Sequence, residues 1–160
     1  MKKILVLSIA FVFIALIGCG GAAVNLGKTH EGPYFTISYP SDLNLEEKSD
    51  GGINLSGAYK INVDTETYEE SVAGNVESIM KASDEMKSQV EENGGSLNVE
   101  PKEIGGHKGL WIEGTMKDGM VFAMLYPMDG KFAFALVEDP VTDKAHHETI
   151  KSILESFTLK

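Results

Sequence analysis

The sequence predicts an α+β fold: a central antiparallel β-sheet covered by helices on both faces. Three observations carry that expectation. Short runs of alternating or wholly apolar residues between Tyr34 and Glu138 are separated by Gly, Pro, Asp and Ser turn signals. Two stretches, one ending at Asn93 and one at Phe157, repeat apolar residues at helical spacing. The last two strand candidates are apolar on both faces, the pattern of strands covered from both sides.

In chain order, the first element is a leader. Lys2 and Lys3 precede an apolar run, Ile4 to Ile17, in which Ser8 is the one polar residue. The run is shorter than the roughly 20 residues of a spanning helix, and small residues follow it, as in an export signal. Leu16-Ile17-Gly18-Cys19 resembles the lipobox of bacterial lipoproteins. That resemblance implies a diacylglyceryl group on the Cys19 thiol and removal of residues 1–18, and leaves acylation of the new amino terminus open. Lipid on two or more chains gives stable attachment, because each buried methylene contributes about 0.8 kcal/mol. An uncleaved anchor is the other reading of this segment, since Gly20 to Val24 extends the apolar stretch. Residues 19–32 are expected to form the lipidated amino terminus and a flexible tether, interrupted by Gly20, Gly21, Gly27 and Gly32. Gly27-Lys28-Thr29 resembles the end of a phosphate-binding loop, but Ala22 stands where that loop needs its first glycine.

Residues 33–160 then read as one globular domain. Tyr34 to Tyr39 alternates around Phe35, Ile37 and Tyr39, and Pro40-Ser41-Asp42 ends it. Ile53 to Leu55 and Tyr59 to Val63 are short strands around Ser56-Gly57. Thr67 and Glu70 fit a capping box. The helix they would open carries Val72, Val76, Ile79, Met80, Met86 and Val90 on one stripe, and Gly94-Gly95 stops it. Leu97 to Ile104 and Lys108 to Met116 are joined by Gly105-Gly106. Lys117-Asp118-Gly119 makes a hairpin into Met120 to Tyr126. Pro127-Met128-Asp129-Gly130 turns the chain into Lys131 to Glu138. Asp139-Pro140 is a cap and first-turn pair for a closing helix, with Ala145, Ile150, Ile153, Leu154 and Phe157 buried.

Tyr34-Phe35-Thr36-Ile37-Ser38-Tyr39-Pro40-Ser41-Asp42, a long helix, Glu103-Ile104-Gly105-Gly106-His107-Lys108-Gly109, a meander and Ile150-Lys151-Ser152-Ile153-Leu154-Glu155-Ser156-Phe157 follow in that order. Together they resemble the PsbP-like fold, in particular small envelope proteins similar to DcrB. The resemblance implies an α/β/α sandwich and binding or assembly roles; it transfers no active site.

Composition narrows the function. The net charge is −10, every basic residue other than histidine is lysine, and losing Lys2 and Lys3 with the leader makes the charge more negative. Nucleic acid is therefore excluded as a partner, because it demands a clustered basic footprint. The single cysteine excludes an intrachain disulfide and a Cys-rich zinc or iron–sulfur site, and lipidation would consume it. No Gly-x-Ser-x-Gly elbow is present, and no catalytic residue or cofactor is expected.

Asp143, His146 and His147 are the densest set of metal-ligand types. Asp143 and His147 stand four apart on the closing helix, but two or three such groups fall short of a usual zinc set. Glu46-Glu47, Glu69-Glu70 and Glu91-Glu92 read as solvated acidic surface. Trp111, between Leu110 and Ile112, reads as core. Met80, Met86, Met116, Met120, Met124 and Met128 read either as core filling or as an adaptable groove for a peptide or lipid.

The expectation is a non-enzymatic lipoprotein of the bacterial envelope, at the outer membrane in a diderm organism, that binds a protein partner or supports an assembly. The alternative is a small-ligand or metal carrier, or an enzyme whose site forms only in the fold.

Overall fold

A computed structural model describes residues 24–67, 76–128 and 131–160. The leader with Cys19, the capping residue Glu70 with Val72, and the turn residues Asp129 and Gly130 lie outside the described residues.

The described chain runs β1 (Lys28–Glu31), β2 (Phe35–Tyr39), β3 (Asn44–Glu47), β4 (Ile53–Ser56), β5 (Lys60–Thr67) and α1 (Val76–Glu92). It continues through β6 (Ser96–Ile104), β7 (His107–Met116), β8 (Gly119–Met128) and β9 (Lys131–Val137). A 3-10 turn (Lys144–His146), α2 (His147–Glu155) and β10 (Thr158–Leu159) close it. Seven strands form one antiparallel sheet in the order β3-β4-β5-β9-β8-β7-β6, and three form a smaller sheet, β1-β2-β10.

Register divides the residues of the large sheet between two faces. Trp111 lies opposite Met124, Met124 opposite Ala135, and Val63 opposite Ala135, so these side chains share one face. That face is the core. Onto it pack Phe35, Ile37 and Tyr39 of β2 and Ile150, Ile153 and Leu154 of α2, with Phe157 just beyond the helix. Phe157 is fully buried and sits edge-on to Phe35, ring centroids 5.3 Å apart. Trp111 is 4 % exposed, as a core residue should be, and the Lys102 ammonium lies 4.1 Å from its ring centroid.

The opposite face corrects the expected fold class. The sheet is not covered by helices on both faces. Ten strands against two α-helices make the described chain mostly β, and they form two sheets. A sheet and α2 share the covering of the core face, while α1 packs against β6 and β7 at one side of the other. The physical reason lies in α1. Its apolar stripe is thin and most of its other residues are Glu, Lys, Ser, Asp or Gln, so it can seal only the sheet edge it touches. Apolar alternation in β8 and β9 was evidence of a buried sheet, but burial on the second face is incomplete.

Two further expectations change. The stretch read as a tether contains β1, which pairs with β2 from Lys28↔Tyr39 to Glu31↔Thr36. Its Lys-Thr-His-Glu sequence has no apolar alternation; pairing with β2 makes it a strand, helped by polar side-chain contacts such as Thr29 Oγ1 to Ser38 Oγ at 3.0 Å and Lys28 Nζ donating to the Ser41 carbonyl at 3.0 Å. The closing helix starts later than Asp139-Pro140. Val141 exchanges both backbone hydrogen bonds with Met120, at 2.7 and 3.1 Å, which holds this segment as a bridge. Asp143 caps the 3-10 turn that leads into α2, its carboxylate accepting from the Ala145 N–H at 2.9 Å, while α2 itself starts at His147 without a side-chain cap. The end of α1 is as expected: Gly94 takes φ 79° and the Gly95 N–H bonds the Val90 carbonyl at 3.0 Å.

Candidate functional site

The incompletely covered face of the large sheet holds the most distinctive feature of the surface. Strand alternation in β9 puts Phe132, Phe134 and Leu136 on this face, and Glu138 continues the same period of two just past the strand. Register sets Leu125 opposite Phe134 and Ala123 opposite Leu136, and Ile112 opposite Ala123. Three neighbouring strands thus contribute one apolar floor. Met86 and Val90 of α1 form its wall, and Met116 closes the end at the β7–β8 hairpin. The enclosed groove measures about 430 Å³. Met86 is 52 % exposed, Met116 45 % and Leu136 38 %, while Phe134 and Ala123 of the floor are buried.

The groove has a polar border on one side. β5 presents Asn62, Asp64 and Glu66 to this face, because they oppose Leu136, Phe134 and Phe132. Lys48 reaches across to donate to Asp64 at 2.8 Å and to Asn62. Glu66 and Glu138 are exposed, and among the described residues neither has an ion-pair partner. Chemically this surface offers contact with apolar side chains and two free carboxylates.

The six methionines singled out in the sequence separate into two uses. Met124 is fully buried in the core, while Met86 and Met116 border the groove. Met120 and Met128 are partly buried against that core.

The metal-ligand candidates lie elsewhere, at the start of α2. His146 Nδ1 is 3.7 Å from an Asp143 carboxylate oxygen, and its ring lies 5.3 Å from that of Tyr59. His147 turns away: its Nε2 sits 3.3 Å from the Val141 carbonyl and its ring packs edge-on to Phe122 at 5.4 Å. Asp143 and His146 are brought together, and His147 is not brought to them. Among the described residues no group of three or more His, Cys, Asp or Glu side chains is placed to hold a metal ion. Clefts of about 250 and 410 Å³ flank the Tyr59–His146 pair. Burial, aided by the Asp42 charge, pushes the Tyr59 hydroxyl up to about 12, so it stays protonated and cannot serve as a base near neutrality.

Sequence reasoning did not single out Glu66 and Glu138. A signal for Glu138 was present, since an apolar row at 132, 134 and 136 ends on an acid in the same phase. Nothing local announces Glu66, which reaches the site only because β5 pairs with β9.

No described helix is long and apolar enough to cross a membrane. No family model and no curated protein matches this chain. Among solved structures it is similar to the solution structure of cyanobacterial PsbP (CyanoP) from Synechocystis sp. PCC 6803. The TM-score is 0.55 at 13 % sequence identity, over 91 % of this chain and 99 % of that one. An identity that low shows shared architecture and does not carry over what the neighbour does. The fold of this chain is PsbP-like.

Proposed function

We propose that this chain is a lipid-anchored protein of the bacterial envelope, similar in kind to DcrB, whose non-enzymatic PsbP-like domain docks a protein partner. The open apolar face of the large sheet is the observation that carries this reading, because a groove lined by exposed Met86, Met116 and Leu136 is the kind of surface partners cover. The lipobox Leu16-Ile17-Gly18-Cys19 supports the anchor, with residues 1–18 removed and the lipid on Cys19 a few residues ahead of Leu26, which packs against the core. The chemistry of the groove supports docking over catalysis: among the described residues its floor is hydrocarbon and no nucleophile stands beside a base. The cleft beside His146 and Asp143 is the place a carrier or enzyme reading would start.

Site-specific photo-cross-linking in intact cells tests the docking face. A photoreactive residue at Leu136 should give one discrete adduct, one at the exposed Lys108 should give none, and Met116→Asp should abolish the first. Absence of an adduct at Leu136 would sink the docking reading. For the anchor, the mature protein should start at Cys19 and carry added acyl mass. Cys19→Ser should yield an uncleaved precursor or a released protein.

A further inference from the structure

We infer that the cleft between the β2–β3 turn, the β4–β5 turn and α2 binds an alkyl ammonium or guanidinium group, held between the Asp42 carboxylate and the Tyr59 hydroxyl. The inference is independent of the sheet face.

The Tyr59 hydroxyl carries it. Tyr59 is 9 % exposed and belongs to the core. A phenol that deep finds a hydrogen-bond partner as a rule, and Tyr126 does so by donating to the Phe157 carbonyl at 3.1 Å. The Tyr59 hydroxyl bonds to none of the described residues, nor is it sealed in. Asn54 Oδ1 is the one polar side-chain atom among the described residues that is both enclosed and unbonded. The Tyr59 hydroxyl therefore opens to the cleft of about 410 Å³ that its side chain lines, a volume in the ordinary range for small-ligand sites. Burial and then the Asp42 charge hold this hydroxyl protonated, which sets it on the side of the ring that faces Asp42.

Charge selects the occupant. Asp42 is exposed, lines the same cleft, and has no ion-pair partner among the described residues. Lys28 reaches this turn, but its ammonium is spent on the Ser41 carbonyl at 3.0 Å. Among the described residues no lysine lines the cleft. The neighbouring cleft of about 250 Å³, which shares Tyr59 and His146, adds Asp139 and Asp143 against Lys60 alone. Such a field repels carboxylates and phosphates and attracts cations. A metal ion needs three or four ligands, and no such group converges among the described residues. An organic cation needs fewer. One N–H can donate to the Tyr59 oxygen and a second to the Asp42 carboxylate. The Tyr59 and His146 rings, 5.3 Å apart, offer faces for a flat guanidinium. Val24, Pro40 and Ala58 give apolar surface for a methylene stem. Two sources carry this chemistry: a free alkyl amine or guanidine, and a Lys or Arg side chain of another protein.

The test uses the full chain in phosphatidylcholine nanodiscs and saturation-transfer NMR of the ligand, with the signal of empty discs subtracted. n-Butylguanidinium should bind saturably, and n-butylurea, a neutral molecule of the same shape, at least tenfold more weakly. Added salt should weaken the first and leave the second unchanged. Asp42→Asn should weaken n-butylguanidinium at least tenfold and Tyr59→Phe at least threefold, with melting temperatures unchanged as the folding control. A blocked Gly-Arg-Gly peptide separates the sources: tighter binding than n-butylguanidinium assigns the site to a protein side chain, weaker binding to a free cation. Equal binding of n-butylguanidinium and n-butylurea would overturn the inference, and this comparison needs no variant. Undiminished affinity in Asp42→Asn would overturn it too, as would no saturable binding at millimolar ligand. A missing adduct at Leu136 bears on the docking reading alone.

Discussion

Tyr126 shows what a single residue contributes to this core. It is fully buried, its ring centroid lies 5.3 Å from that of Phe157, and its hydroxyl donates to the Phe157 carbonyl at 3.1 Å. A buried phenol must keep its proton or leave a charge in a medium that solvates it poorly, so burial pushes its pKa up to about 12 from 10.0. Tyr59 is raised to about 12 as well. The linkage has a definite sign. Below pH 10 folded and unfolded chains are both protonated and the stabilisation is complete. Above it the unfolded chain ionises first, so stability falls until the folded groups titrate near pH 12. Tyr126→Phe should cost about 1 kcal/mol at pH 7 through the lost hydrogen bond. It should also make the decline between pH 10 and 12 shallower. Urea unfolding at neutral and alkaline pH measures both, and an unaltered alkaline slope would place the titration elsewhere.

At the scale of elements, the join between α2 and the small sheet is what places the core cover. Ser156 follows the last residue of α2, and its hydroxyl oxygen accepts from the Ser38 N–H of β2 at 2.8 Å while lying 2.6 Å from the Ile153 carbonyl. β10 then pairs with β2, Thr158 opposite Thr36, and the two threonine hydroxyls meet at 2.6 Å. One hydroxyl therefore links the helix end to a strand 118 positions away in sequence. Ser156→Ala should destabilise the domain by about 1–2 kcal/mol, because it strands a partly buried N–H. Amide exchange at Ser38 should accelerate more than at Ile37. Uniform acceleration across β2 would mean that the bond contributes to global stability only.

On the scale of the whole molecule, charge and the amino-terminal segment act together. A chain of net charge −10 has no electrostatic attraction to an anionic bilayer. Its attachment would rest on the lipid at Cys19. A fragment beginning at Val24 should stay in the supernatant with anionic liposomes at low and moderate salt; tight co-sedimentation would show that the domain itself reads the membrane. A fragment beginning at Pro33 loses β1 and Leu26, which packs against the core. It should be less stable by about 1 kcal/mol from the partly buried leucine alone. Equal stability of the two fragments, compared by thermal melting, would make β1 a bystander.

Much of this fold is legible in single segments. Phe35, Ile37 and Tyr39 alternate because β2 buries one face, Lys117-Asp118 turns a hairpin wherever it sits, and Gly94 ends α1 by accepting a positive φ. These are local rules, so the sequence alone determined the strand meander, the end of α1, the core role of Trp111 and the acidic, arginine-free composition, while Thr67, read as a helix cap, is the last residue of β5. Strands β1, β3 and β10 were not legible, because Lys-Thr-His-Glu, Asn-Leu-Glu-Glu and Thr-Leu lack an apolar alternation and become strands by pairing with β2 or β4. The start of α2 was misplaced for the same kind of reason: Val141 is claimed by Met120, which is remote in sequence and adjacent in space. The groove belongs to this second class. Apolar strands require cover on both faces in general, but how far α1 extends over β8 and β9 depends on where it packs, and no periodicity encodes that. Glu66 and Glu138 come to border one apolar row only because β5 and β9 are neighbours in the sheet, and strand order is a property of the tertiary structure.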